Sequence, residues 1–194
     1  GDWSSDVCSS DLSKQVSANT RLGKKTLIWT SFVGNIAVLK KALGQFSPAV
    51  VYGAVDAETR EAEIQRFRAS EKCSVLITNP QTLGEGISLH DVCHDAIYVD
   101  RTFNAGLYLQ SLDRIHRLGL SPETRTKIQI LKTSNSIEMA VESRLETKIR
   151  AMSAFLDDDG LVRSSLPQID ELSPGEVLGL DVEDLDEIYR TWSK

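Results

Sequence analysis

Within Asn104-Ala105-Gly106-Leu107-Tyr108-Leu109-Gln110-Ser111-Leu112-Asp113-Arg114-Ile115-His116-Arg117-Leu118-Gly119, two arginines stand one helical turn apart beside an acid and an amide. Continued as a helix at about 100° per residue, the segment gathers Gln110, Asp113, Arg114 and Arg117 on one side and places Tyr108, Leu112 and Ile115 opposite. One side packs; the other offers two guanidiniums. A planar, permanently protonated guanidinium can meet two oxygens of one phosphate group, so the chemistry this pair suits is phosphate recognition. A solvated helix face with an Asp113 to Arg117 ion pair accounts for the same string.

A second candidate is Val75-Leu76-Ile77-Thr78-Asn79-Pro80-Gln81-Thr82-Leu83-Gly84-Glu85-Gly86-Ile87-Ser88-Leu89, an apolar run opening into a loop with two glycines. Open α/β sheets place ligands at such loops, because a backbone without a Cβ can approach a phosphate closely. An ordinary strand-to-helix turn is the plainer reading. A dinucleotide fingerprint is excluded, since a third glycine and an acidic partner at the right distance are missing.

Both segments need a scaffold to present them. From Lys25 onward, short β-rich runs alternate with helix-period segments, the pattern of an α/β domain with a central, mainly parallel sheet and helices on both faces. Strands are expected at 26–30, 49–52, 74–78, 96–99 and 127–131. A first helix is expected at 33–43, ending with Gly44 in the left-handed C-terminal position, and a second from an Asp56 N-cap to about 69. A third follows Asn104 and a fourth follows Ser136, where Ile137, Val141, Leu145, Ile149, Met152 and Leu156 form an apolar stripe.

The ends read differently. The first dozen residues have no regular period and resemble translated sequencing-adapter read-through, so 1–22 is expected to be a non-native or flexible segment and the chain a fragment of a longer protein. Residues 23–156 form the expected lobe. Residues 157–194, with Pro167 and Pro174, read as an acidic linker and a short helical tail at about 182–192, solvated or docked on a protein partner.

The 194 residues suffice for one core. The net charge of -6 speaks against a polyanion ligand only if evenly spread, and it is not: from Asp157 onward there are 11 acids against 3 bases, and before it 17 against 19. No apolar run approaches the roughly 20 residues that span a bilayer. Cys8, Cys73 and Cys93 are odd in number and scattered, which fits a reducing, cytoplasmic setting. His90, Cys93 and His94 cluster without a fourth ligand, so no metal site is expected.

The string Gln110-x-x-Asp113-Arg114-x-His116-Arg117-x-Gly119 resembles motif six of Swi/Snf-like ATPases of helicase superfamily two at every fixed position. Gly84, Gly86 and Leu89 resemble motif five, with Thr82, Leu83 and Ser88 departing from the usual Ala, Gly and Asn. Lys25 to Phe32 is similar to motif four, and Val51-Tyr52-Gly53, followed by Arg60 and then Phe67, to the block after it. Asp100 to Ala105 resembles an Asp-x-x-Trp-Asn-Pro turn, with Phe103 and Ala105 replacing Trp and Pro.

The resemblance implies a three-layer RecA-like fold, the C-terminal lobe of a nucleic-acid-dependent ATPase or translocase, with double-stranded DNA as the expected substrate. It implies Arg114 and Arg117 as arginine fingers, with Gly84, Glu85, Gly86, Ser88, Gln110 and Asp113 about the nucleotide. Thr30, Ser31, Tyr52, Gly53, Arg60 and Thr78 would hold nucleic-acid phosphates. ATP and Mg²⁺ would be held mainly by an N-terminal RecA-like lobe, because this sequence has neither a Gly-x-x-x-x-Gly-Lys-Ser/Thr loop nor an acidic metal motif. Alone, the chain is expected not to hydrolyse ATP. A catalytically idle scaffold or binding module, and a lobe of an RNA helicase or restriction subunit, are the alternatives.

Overall fold

The computed structural model describes residues 6–82, 87–116, 124–131, 137–156 and 161. The loop with Gly84, Glu85 and Gly86, the finger candidate Arg117 and the acidic tail lie outside them. The chain divides into two compact units, one of residues 1–100 and 113–131, the other of 101–112 and 132–194.

The first unit is built on five strands, β1 (Thr26–Trp29), β2 (Ala49–Val51), β3 (Val75–Thr78), β4 (Asp95–Tyr98) and β5 (Lys127–Ile130). They pair in parallel throughout, in the order β2-β3-β1-β4-β5. Each lies within a residue of its expected position. Their legibility has a physical cause: β1, β3 and β4 are buried along their whole length, as parallel strands covered on both faces must be, so they read as unbroken apolar runs.

Alternation along the strands sorts the two faces. Ile28, Val50, Val75, Ile77, Ile97 and Val99 pack with Ile36, Leu39 and Leu43 of α2 (Val33–Ala42) and its end, and with Leu12 and Val16 of α1 (Asp6–Arg21). On the other face Trp29 stacks on Tyr98 at 6.1 Å between ring centroids. Lys25 shares that face and sits over the Phe67 ring of α3 (Ala57–Ala69), its ammonium donating to the carbonyls of Phe67, Ser70 and Cys73. A cation thus closes the C-terminal end of α3, where unpaired carbonyls and the helix dipole favour it.

Two local expectations change. Asp56 caps α3, accepting from the Thr59 N–H at 2.9 Å, but Gly44 does not end α2 in a left-handed turn. It opens a short 3-10 turn, and the left-handed residue is Ser47, at φ 48°. The boundary expected after residue 22 also falls inside continuous structure. Leu12 and Val16 are 1% and 0% exposed, and the Asn19 amide donates to Thr26 Oγ1 at 3.0 Å. The first residues lack a strand-like or strongly amphipathic signature, yet two apolar side chains four residues apart are enough to seat a helix on the sheet.

The edge strand β2 is covered by side chains. Glu63 accepts from the Val50 N–H at 2.9 Å, and Arg66 binds Glu63 and the carbonyls of Ser47 and Pro48. This blunts an edge otherwise open to pairing. Burial alone would push the Glu63 carboxyl up; hydrogen bonds from Arg66 and Val50, with the charges of Arg66 and Lys40, outweigh it and hold it below the ordinary range.

In the second unit, α4 (Ala105–Leu112) is capped by Asn104, whose Oδ1 accepts from the Leu107 N–H at 3.0 Å. In α5 (Ile137–Leu156) Val141, Leu145 and Ile149 are buried, whereas Leu156, at the end of the expected stripe, is exposed. Arg101 lies over the Tyr108 ring, and Lys148 donates to the Phe103 carbonyl. Among the described residues no helix is long and apolar enough to cross a membrane.

Two predictions follow from this packing. Leu12→Ala should destabilise the chain by about 2–4 kcal/mol, the usual cost of emptying a buried leucine site; urea unfolding measures it, and an unchanged midpoint would show α1 to be a dispensable appendage. The folded Glu63 value lies below the unfolded one, so its contribution is complete above the unfolded value and lost as pH falls through the folded value. Glu63→Gln should therefore flatten the acid limb of the urea midpoint against pH.

Candidate functional site

Parallel pairing delivers the carboxyl ends of β1, β2 and β3 to one edge of the sheet, and a groove of about 430 Å³ opens there. Tyr52 and Gly53 follow β2, Asn79, Gln81 and Thr82 follow β3, Val33 begins α2, and Arg60 reaches in from α3. Open α/β sheets bind ligands at this edge. Three of the expected phosphate-holding residues, Tyr52, Gly53 and Arg60, therefore share one groove.

Two of its polar atoms are unsatisfied among the described residues. Arg60 Nη2 donates to the Val55 carbonyl at 3.3 Å, but its Nε is buried without a partner, and so is Asn79 Oδ1. Leaving a buried polar atom unpaired is costly, and atoms outside the groove, Trp29 Nε1 and Arg68 Nε among them, share that condition. Gly53 has room for a Cβ, its nearest neighbour being Thr82 Oγ1 at 3.8 Å. Packing among the described residues does not require glycine there.

Thr30 and Thr78 are not brought to the groove surface. Both are fully buried; Thr30 Oγ1 donates to the Asp100 carboxylate, and Thr78 Oγ1 turns to the Asn79 carbonyl at 3.5 Å. Ser31 is half-buried, and its N–H also donates to Asp100. Position at a strand end foretold where these residues lie but not what their polar groups bind. Asn79, Gln81 and Thr82 fall within the expected ligand loop after β3, where the sequence assigns them no individual role, and Val33 reads there only as the start of a helix.

The arginine segment also departs from expectation. Helix α4 stops at Leu112 and residues 113–115 form a turn, so one helical face does not carry Gln110, Asp113 and Arg114 together; Arg117 lies outside the described residues. Beyond the helix, the Arg114 carbonyl accepts from the Leu89 N–H at 2.8 Å, a bond from a loop remote in sequence. Arg114 Nη1 meanwhile donates to the Ile87 carbonyl at 3.4 Å. Ile115 is fully buried, while Asp113 and Gln110 are exposed on their respective units.

The stretch Ile87 to Leu89 is thus pinned to Arg114, and Arg68 adds a bond to the Ser88 carbonyl. Ser88 Oγ is also in close contact with His90 Nδ1. Nearby, burial pushes the Cys93 thiol up to about 12, and its Sγ donates to the carbonyls of Lys25 and Asp95. That sulfur is part of the core.

Residues 9–119, more than half of the chain, match the profile of the helicase conserved C-terminal domain. The chain belongs to that family. This helicase C-terminal domain is 28% identical over 149 residues to the DNA repair protein RAD5 of Eremothecium gossypii, covering 73% of this chain and 13% of that protein. It is 27% identical over 139 residues to the ATP-dependent helicase FUN30 of Saccharomyces cerevisiae, covering 70% of this chain and 12% of that one. The chain therefore spans about an eighth of the length of these relatives. In fold it is similar to the C-terminal part of the Fun30 ATPase domain, with a TM-score of 0.62 at 24% identity over 70% of this chain and 44% of that one. Together these relatives place it as a C-terminal RecA-like lobe of the Swi/Snf-like branch of superfamily two.

Proposed function

We propose that this lobe is half of an ATP-driven motor on nucleic acid: it presents Arg114 and Arg117 to ATP held by an N-terminal RecA-like lobe and grips a nucleic-acid backbone in the groove at Tyr52, Gly53 and Arg60. The observation that carries the reading is the pinning of Ile87 and Leu89 to Arg114. It ties Arg114 to residues 87–89, which directly follow Gly84, Glu85 and Gly86 in the sequence and include Ser88.

The chemistry supplied by this chain is electrostatic. Phosphoryl transfer spreads charge over the γ-phosphate oxygens, and a guanidinium arriving from a second lobe stabilises that charge without itself changing protonation. Asp113 and Gln110 would orient the arginines or touch the nucleotide. The residues here fit only one side of ATP, since the sequence has arginines and a glycine loop but no P-loop lysine or acidic metal motif. Mg²⁺ would be held by the other lobe, where it neutralises phosphate charge. Alone, the chain would not turn over ATP.

The groove supports the second half of the reading. Arg60 lines the groove with a permanently charged guanidinium, and a phosphodiester is an anion that only accepts hydrogen bonds, so the two are complementary. Contacts of this kind hold the backbone without reading sequence, as a translocase on double-stranded DNA requires. Thr78 would contribute through the strand end it closes, its hydroxyl being turned inward. A reducing, cytoplasmic setting suits Cys73 and Cys93, both free and buried.

Two measurements test the halves separately. With the upstream lobe restored, Arg117→Ala should lower DNA-stimulated ATP turnover about a thousandfold or more, the range of arginine fingers; undiminished turnover would remove the finger assignment. Arg60→Ala should weaken duplex binding and reduce its salt slope by about one phosphate contact. An unchanged slope would place the backbone elsewhere.

A further inference from the structure

The Asp100 carboxylate is buried at the end of β4 and accepts three hydrogen bonds, from Thr30 Oγ1, from the Ser31 N–H and from Asn35 Nδ2 at 3.0 Å. Among the described residues it makes no ion pair. All three donors belong to one short stretch, the turn from β1 into α2, which is about seventy residues away in sequence. Burying a carboxylate without a cation is costly unless its oxygens are well supplied with donors, so this cluster is a specific arrangement.

That turn has an unusual need. The N-cap of α2 is Phe32, which has no polar side chain, and no acid stands in the first helical turn. The positive end of the helix dipole and the neighbouring N–H groups are therefore met by an anion supplied from another strand. Val33, the first residue of α2, is also a wall of the groove.

We infer that Asp100 is the positioning residue of the nucleic-acid grip: its carboxylate fixes the Thr30 to Asn35 turn, and so the β1 side of the groove, without touching the ligand. Thr30 is held by this carboxylate instead of holding phosphate itself. The three inward donors stabilise the carboxylate where it is buried. The inference rests on the nucleic-acid reading of the groove for its functional half; its structural half stands apart from that reading.

The test uses the whole chain, with amide hydrogen exchange at Ser31 and the anisotropy of a short fluorescein-labelled DNA duplex as readouts. In Asp100→Asn the amide nitrogen must face a donor, and both Ser31 protection and duplex affinity should fall about tenfold, the loss of roughly one charge-assisted bond. Adding Asn35→Asp moves the carboxylate across the same bond, at a position in the first helical turn that suits an acid, and should restore most of both. Ser31 exchange unchanged in Asp100→Asn would overturn the proposal, and so would a double variant no better than the single one. If Asp100→Asn prevents folding, Asn35→Ala should still cost about threefold in each readout, one weaker bond being lost; wild-type values would overturn the proposal equally. A wild-type chain that leaves the duplex free while Ser31 responds as expected would overturn the nucleic-acid reading and support the Asp100 tie.

Discussion

All five strands run one way, and β1 at the centre pairs with β3 on one side and β4 on the other. A parallel neighbour can be added only after the chain has crossed back to the far end of the sheet, so every strand discharges its loop on the same edge. Tyr52, Asn79 and the turn after β1 meet there although they are remote in sequence. The groove, the buried acid beside it and the covered strand β2 all depend on that geometry.

Strands of three and four residues provide few ladder bonds, and the connecting loops are held largely by charged side chains on main-chain groups. Lys25 gathers the carbonyls that end α3, Arg66 and Glu63 clasp the approach to β2, and Asp100 collects the donors that begin α2. A hydrogen bond to a charged group contributes about 1.5–3 kcal/mol, more than a neutral one, which suits them to fixing loops that bury little apolar surface. Arg60 Nε and Asn79 Oδ1, like Trp29 Nε1 and Arg68 Nε, are buried without a partner among the described residues, and these two belong to side chains that line the groove.

The Arg114 segment is tied to a stretch remote in sequence. Helix α4 ends before it, at Leu112, and beyond that end the Arg114 carbonyl accepts from the Leu89 N–H while Arg114 Nη1 donates to the Ile87 carbonyl. The Ile115 carbonyl faces Thr126 Oγ1 at 3.5 Å. These bonds set Arg114 against residues 87–89.

Sequence alone determined the strands, because burial on both faces leaves continuous apolar runs, and it determined the caps at Asp56 and Asn104, because a side chain bonding three residues ahead is a local event. It also carried the family, through the spacing of residues at 110–119. Tertiary structure alone decided that Leu12 and Val16 belong to the core and that Ser47 and not Gly44 turns left-handed. It also decided that Thr30 and Thr78 face inward while Asn79 joins Arg60 at the groove. Each of these depends on which distant donor reaches which acceptor, and a sheet whose neighbours are remote in sequence settles that only when it is assembled.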